Sequence, residues 1–255
     1  MDILRKIKTL SDWIHAADAV VAFTGAGIST PSGIPDFRSE ESGLWTEHDP
    51  LEVASIYGFR RDPQAFYDWV RPLVVKTLNA QPNAAHKALA DLERLEKLTT
   101  VVTQNIDMLH TRAGNQSIFE LHGHMREATC IQCFHIYDNA PILEKFLADG
   151  NVPYCPRCGG VIKPNTILFG EQLPIVELQG AKKAIRQADI LLVVGSSLEV
   201  APANELPLFA RRNGAKVVII NIDATMTHGG DLVINGDAAE ILPAVVRALE
   251  TAKSP

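Results

Sequence analysis

The sequence has no run of Lys or Arg longer than a pair such as Arg211-Arg212 or Lys182-Lys183, and 24 basic against 30 acidic side chains leave a net charge of −6. Nucleic-acid backbones are bound by clustered cations, so no nucleic-acid partner is expected. No segment approaches the ~20 consecutive apolar residues that a membrane span needs. The N-terminal stretch MDILRKIKTLSDWIHAAD sets Ile3, Leu4, Ile7, Leu10, Trp13 and Ile14 at helical spacing among charges, which is neither a signal peptide nor a span. The expected compartment is the cytoplasm, with no membrane partner. Repeats and low-complexity tracts are absent. So is a spare cysteine: Cys130, Cys133, Cys155 and Cys158 form two CxxC pairs, and none is left to act as a nucleophile.

What is present is an ordinary globular composition, 46% hydrophobic and 21% charged over 255 residues. That length can hold one large domain carrying a small one. Continuous apolar, β-branched runs at 19–23 (AVVAF), 98–103 (LTTVVT), 190–194 (ILLVV), 216–221 (KVVIIN) and 232–234 (LVI) read as strands of a parallel sheet buried on both faces. Helix-period stretches cover 63–78, with a kink expected at Pro72, then 83–96, 176–187, 203–212 and 237–249. Strand alternating with helix predicts an α/β fold, a Rossmann-like doubly wound parallel sheet. Residues 1–124 and 166–255 are expected to form it, with a helical or flexible insertion at about 31–80. Residues 125–165 lack long apolar runs, hold every cysteine, and are expected to be a small inserted zinc-binding module.

A polar or glycine-rich turn follows each of four strands: TGAG, QNID, GSS and NID. In a doubly wound sheet these converge at the carboxyl edge, where ligands bind. The glycine turn Gly25-Ala26-Gly27 lets backbone approach a pyrophosphate, with a following helix end to assist, although any strand-to-helix turn can use glycine. The dinucleotide fingerprint is incomplete, since Thr30 stands at its third glycine and a long polar excursion follows. That excursion carries Asp36, Phe37 and Arg38, suited to lie over a ligand with Arg38 on phosphate and Phe37 on a ring. Gln104, Asn105 and Asp107 could read a ribose or a carboxamide, or could be turn formers. His122, after the short apolar SIFEL, is either a structural histidine or a general base titrating near neutrality. Gly195, Ser196 and Ser197 of GSSLEVAP and Asn221, Ile222 and Asp223 of INID complete the ligand edge. The pattern C-x2-C, 21 residues, C-x2-C admits redox activity or disulfides but favours a structural zinc ion. Four thiolates leave no open position, so such a metal holds the fold rather than performing catalysis.

Together the blocks GAGIST-SGIPDFRS, TQNID-LH, ELHG, the paired CxxC, KPN-ILFGE-LP, GSSL-V-P and NID resemble the sirtuins, NAD-dependent protein-lysine deacylases, in order from about residue 20 to 240. The resemblance implies that NAD is consumed as a co-substrate. The acyl oxygen of a lysine side chain attacks C1′ of the nicotinamide ribose, nicotinamide leaves, and deacylated lysine and O-acyl-ADP-ribose result. It implies that His122 is the general base and that Asn105 orients the ribose and a water. Ile106 and Asp107 would hold the carboxamide, and Phe37 would cover the reacting centre. Gly25, Ala26, Thr30 and Arg38 would surround pyrophosphate and ribose, while Ser196, Ser197, Asn221 and Ala238 would contact the adenosine side. Ile167 and Phe169 would line the acyl-lysine channel. The implied partners are acyl-lysine proteins or peptides, and a monomer is expected. Tyr57 and Arg60 show the three-residue spacing of succinyl- and malonyl-selective sirtuins but fall late after GLW. Acetyl and longer uncharged acyl groups are therefore expected, with desuccinylation, demalonylation or ADP-ribosyl transfer as alternatives on the same fold and an idle NAD-sensing or scaffold protein as another class.

Overall fold

A computed structural model describes residues 2–36, 49–223 and 229–253. Its large sheet contains β1 (Val20–Thr24), β2 (Leu98–Thr103), β3 (Ile118–Glu120), β7 (Ile190–Val194), β8 (Lys216–Asn221) and β9 (Leu232–Asn235). All pairings are parallel, in the order β3-β2-β1-β7-β8-β9. Every side chain of β1 and β7 is buried, because period-two alternation sends them into two separate cores. Val20 and Ala22 pack with Leu10 and Ile14 of α1 (Ile3–Ala16), Leu89 and Leu92 of α5 (Ala84–Arg94), and Ile241 and Leu242 of α10 (Ala238–Lys253). Val21 and Phe23 face the other way, onto Ala181 and Ile185 of α8 (Ile175–Arg186) and Leu206 and Ala210 of α9 (Leu206–Arg212). Two covered faces explain why these strands read as unbroken apolar runs.

A second sheet has the order β5-β4-β6, from β4 (Gly123–Cys130), β5 (Ile136–Asp138) and β6 (Ile162–Thr166), all antiparallel. Its neighbour α7 (Asn139–Asp149) begins at Asp138, whose side chain accepts from the Ala140 N–H. The long excursion after β1 forms α2 (Pro50–Val53), α3 (Ile56–Arg61) and α4 (Pro63–Asn79). Ile56, Phe59, Phe66, Tyr67 and Val74 of those helices share one core with Leu143 and Phe146 of α7 and with Leu168. By packing, this excursion goes with the cysteine-bearing part of the chain rather than with the large sheet.

Two local expectations are corrected. Thr24 is followed by two short 3₁₀ turns, Ala26–Ile28 and Thr30–Ser32, and not by a helix whose positive end could face a phosphate. The stretch expected as one helix at 203–212 opens with a 3₁₀ turn, Ala203–Glu205, before α9. As expected for 63–78, one helix, α4, runs through Pro72 to Asn79.

The crossing between sheets fixes the site. Glu120 ends β3 in the large sheet and Gly123 begins β4 in the small one, so Leu121 and His122 are the bridge. The returning chain leaves β6 at Thr166, and the Ile167 N–H donates to the His122 carbonyl at 2.8 Å. A Cβ at Gly123 would lie 2.0 Å from the Asn165 carbonyl oxygen, and its φ of +75° suits glycine.

Candidate active site

Counting only the six parallel strands, the order is 3-2-1-4-5-6, and it reverses between β1 and β7. At their carboxyl ends Gly25, Gly27 and Gly195 interlock. The Gly25 N–H donates to Val194 O (3.1 Å), the Gly27 N–H to Gly195 O (2.8 Å), and the Gly195 N–H to Ile220 O (3.0 Å). A Cβ on Gly195 would come within 2.3 Å of the Ile28 nitrogen, and one on Gly27 within 2.9 Å of the Gly195 Cα. The amides of Gly25 and Gly27 thus bind the partner loop; the turn gives a ligand a bare backbone floor rather than those two N–H groups. Asn83, the cap of α5, fastens the same turn from below by donating to Ile28 O at 2.8 Å.

A buried polar cluster stands behind this floor. The Asn105 amide donates from Nδ2 to Gly25 O and Ser29 Oγ, both at 3.1 Å. Because a carbonyl only accepts, this fixes the amide's orientation and leaves Oδ1 as the acceptor for a ligand. The Ser29 hydroxyl donates to Asp107 Oδ2 at 2.6 Å, and Asp107 Oδ1 accepts the Leu109 N–H at 2.8 Å. Burial raises the Asp107 pKa, opposed by those two hydrogen bonds. His86 Nε2 lies 3.5 Å from Ser29 Oγ, and its ring is 4.9 Å from that of His110. Burial brings His86 down to about 4 and His110 to about 3, the latter helped by His86, so both are neutral at pH 7. Thr24 Oγ1 is 2.9 Å from His110 Nε2 and donates to Thr103 Oγ1, which accepts the Asn105 N–H at 3.0 Å.

His122 Nδ1 lies 3.0 Å from the Gln104 carbonyl oxygen. That oxygen can only accept, so Nδ1 carries the proton and Nε2 the lone pair. Burial lowers the His122 pKa against the opposing Gln104 bond. The Gln104 side chain donates to Ser196 Oγ at 2.9 Å, and Asn221 Nδ2 to Ser196 O at 3.4 Å. The ends of β1, β2, β7 and β8 are thereby tied into one wall.

One cavity of about 690 Å³ collects the expected residues. Gly25, Ala26, Thr30, Asp36, Gln104, Asn105, Ile106, Asp107, His122, Gly195, Ser196, Ser197, Asn221, Ile222, Asp223, Ala238, Ile167 and Phe169 all line it. Phe37 and Arg38 lie outside the described residues. Sequence reasoning missed Ser29, the hub of the cluster, together with His86 and His110; GAGIST marks the loop but does not separate the buried Ser29 from Thr30. It also missed an apolar wall of the cavity, Phe66, Tyr67, Trp69, Val70, Leu73 and Phe146. The pair Tyr57 and Arg60 is exposed on α3 and does not line the cavity. At the same three-residue spacing it is Tyr67 and Val70 that do, and no Lys or Arg lines the cavity among the described residues.

The four cysteine sulfurs lie within 4.8 Å of one another, with Cys130 and Cys158 at 3.5 Å and Cys133 and Cys155 at 3.6 Å. Tetrahedral bonds of about 2.3 Å to zinc set sulfurs about 3.8 Å apart, so the set fits that ion. Donors also face the sulfurs: the Cys133 N–H on Cys130, the Gly160 N–H on Cys158, and the Tyr137 hydroxyl 3.0 Å from Cys155. These would hold thiolates in place.

Residues 25–202 match the model of the Sir2 family. The chain is 45% identical to the NAD-dependent protein deacylase 2 of Archaeoglobus fulgidus over 98% of both chains, and 42% identical to the NAD-dependent protein deacetylase of Sulfurisphaera tokodaii over 93% of both. A structure solved for the mechanism and regulation of Sir2 enzymes superposes with a TM-score of 0.92 at 43% identity, over 98% of this chain and 99% of the other. A Sir2 protein bound to a myristoylated histone peptide superposes with a TM-score of 0.84 at 38% identity, again over 98% and 99%.

Proposed function

The chain belongs to the Sir2 family, and from that premise we propose how its own residues carry out the reaction. It is an NAD-dependent protein deacetylase, acting on acyl-lysine peptides, with a structural zinc ion on Cys130, Cys133, Cys155 and Cys158. Bound NAD supplies a glycosidic bond to nicotinamide whose cleavage lets the ribose accept the acyl oxygen. Asn105 Oδ1 and the Ile106–Asp107 segment hold the nicotinamide end. Gly25, Ala26, Thr30 and Asp36 border the pyrophosphate and ribose. Gly195, Ser196, Ser197, Asn221, Ile222, Asp223 and Ala238 take the adenosine side, with Gln104 bracing Ser196.

His122 Nε2 is the general base that takes a ribose hydroxyl proton. The observation that carries this role is its anchored Nδ1 at the crossing between the two sheets. A neutral, oriented imidazole needs no prior proton loss at pH 7. The shared core of α3, α4 and α7 supports a division into a large lobe and a small lobe that includes residues 50–79 as well as the cysteine module.

Ile167 and Phe169 line the acyl-lysine channel, and the apolar wall from Phe66 to Phe146 receives the end of the acyl group. With no cation lining the cavity among the described residues, a carboxylate there would be buried unpaired, which is costly. The substrates are therefore acetyl and longer uncharged acyl groups. Peptides of one sequence carrying acetyl, butyryl or succinyl lysine test this by kcat/KM. Succinyl turnover should be at least tenfold below the uncharged groups; equal or faster succinyl removal would overturn the acyl assignment. The net charge of −6 and the absence of a basic run support a function without nucleic acid. Among the described residues no helix is long and apolar enough to cross a membrane.

A further inference from the structure

The turn after β6 carries both channel residues, and its backbone is held from three directions. The Ile167 N–H goes to the His122 carbonyl. The Phe169 N–H donates to Ala54 O at 2.9 Å, and its carbonyl accepts from the Ile56 N–H at 3.0 Å. The third hold is an ion pair. Lys163 Nζ donates to Thr166 O (2.7 Å), Pro164 O (3.1 Å) and Glu171 Oε2 (3.0 Å). The same Glu171 oxygen accepts the Leu168 N–H at 2.8 Å.

Lys163 is 9% exposed, and its three ammonium hydrogens meet three acceptors. Burying charges is expensive, and apolar residues of similar volume often match or exceed an ion pair in stability. An apolar pair could not, however, take a carbonyl at 166 and an N–H at 168 simultaneously. Those two groups flank Ile167, and fixing both fixes the peptide planes that aim Ile167 into the cavity, two residues before Phe169, whose own amide and carbonyl are held by Ala54 and Ile56. Glu171 lines that cavity itself.

We propose that Lys163 and Glu171 are positioning residues for the acyl-lysine peptide: they clamp the turn at 166–171 so that Ile167 and Phe169 hold the channel open in register with His122. The clamp rests on the reading of this turn as the channel wall. It acts on the peptide and leaves the NAD side, built on β1, β2, β7 and β8, untouched.

The test compares wild type with Glu171→Ala, Glu171→Gln and the double variant Lys163→Met/Glu171→Met. The double variant removes both charges and so leaves none unpaired if a single change prevents folding. Affinity for a fluorescent acetyl-lysine peptide is read by anisotropy without NAD, alongside KM for peptide and for NAD. The alanine and double variants should weaken peptide binding and raise peptide KM about tenfold, with NAD KM within twofold. The glutamine variant keeps an acceptor for Leu168 and should recover to within about threefold of wild type. Unchanged peptide affinity, or peptide and NAD affinity falling together, overturns the clamp. A wild-type protein that binds no acetyl-lysine peptide overturns the reading of the channel on which it rests.

Discussion

His122 is held neutral by burial and aimed by Gln104. His122→Ala should lower turnover at least 10²-fold, the usual scale of a lost general base, while NAD and peptide binding survive. Because burial puts its pKa below the ordinary 6.5, the acid limb of the pH–rate profile should have its midpoint under pH 6.5; a midpoint above that would place another group on the proton. The site was legible at this scale wherever a residue type carries its own chemistry. His122, Asn105 and Asp107 offered imidazole, amide and carboxylate at strand ends, but each also admitted a structural or turn reading until the ordered sirtuin-like blocks singled them out. Ser29 did not stand out, because a hydroxyl beside threonine in a glycine turn has no distinguishing mark until its burial against Asp107 is known. The wall residue Tyr67 was hidden for the opposite reason: on a helix of apolar period it reads as core, and it is both core and lining.

Elements supply the precision that single residues lack. Gly195 has a φ of +59° and no room for a Cβ, whereas Gly33, at +86°, has nothing within 4 Å of one. Gly195→Ala should therefore cost more than Gly33→Ala, whose penalty is on the order of 1 kcal/mol; urea unfolding of the two variants compares them, and equal midpoints would contradict the interlock. Helices α5 and α6 (Leu109–Ala113) bury His86 and His110 against each other. Their folded pKa values lie below the unfolded value, so between about pH 6.5 and 4 the unfolded chain binds more protons. Stability is full above that window and falls with pH through it, by up to ~1.4 kcal/mol per pH unit for each group. Substituting His110 by Asn should flatten that slope in urea melts. The boundaries of β1, β2, β7 and β8 were readable because burial on both faces leaves unbroken apolar runs, which β4 and β5 lack. The helix expected after β1 was misread, since the turn that replaces it is set by Gly195, just past the end of β7 and 170 residues from Gly25 in sequence.

For the molecule as a whole, the decisive feature is that two sheets meet at Leu121–His122. The helical excursion's attachment to α7 was not visible in the sequence, because it depends on packing between segments separated by some 80 residues. The cysteine spacing was visible, since ligand chemistry dictates it. Metal analysis should find one zinc per chain, and Cys155→Ser, which opens a buried corner of the set, should lose it together with peptide turnover; full activity in a zinc-free protein would remove the ion from the fold. The central claim is that NAD, a lysine-bound acetyl group and His122 meet in one cavity. A single-turnover reaction of an acetyl-lysine peptide with NAD, run with wild type and His122→Ala and followed by mass spectrometry, tests it most directly. The account predicts deacetylated peptide, nicotinamide and O-acetyl-ADP-ribose in equal amounts from wild type and loss of all peptide deacetylation in the variant; ADP-ribose attached to protein with the peptide still acetylated, or a variant as fast as wild type, would contradict it.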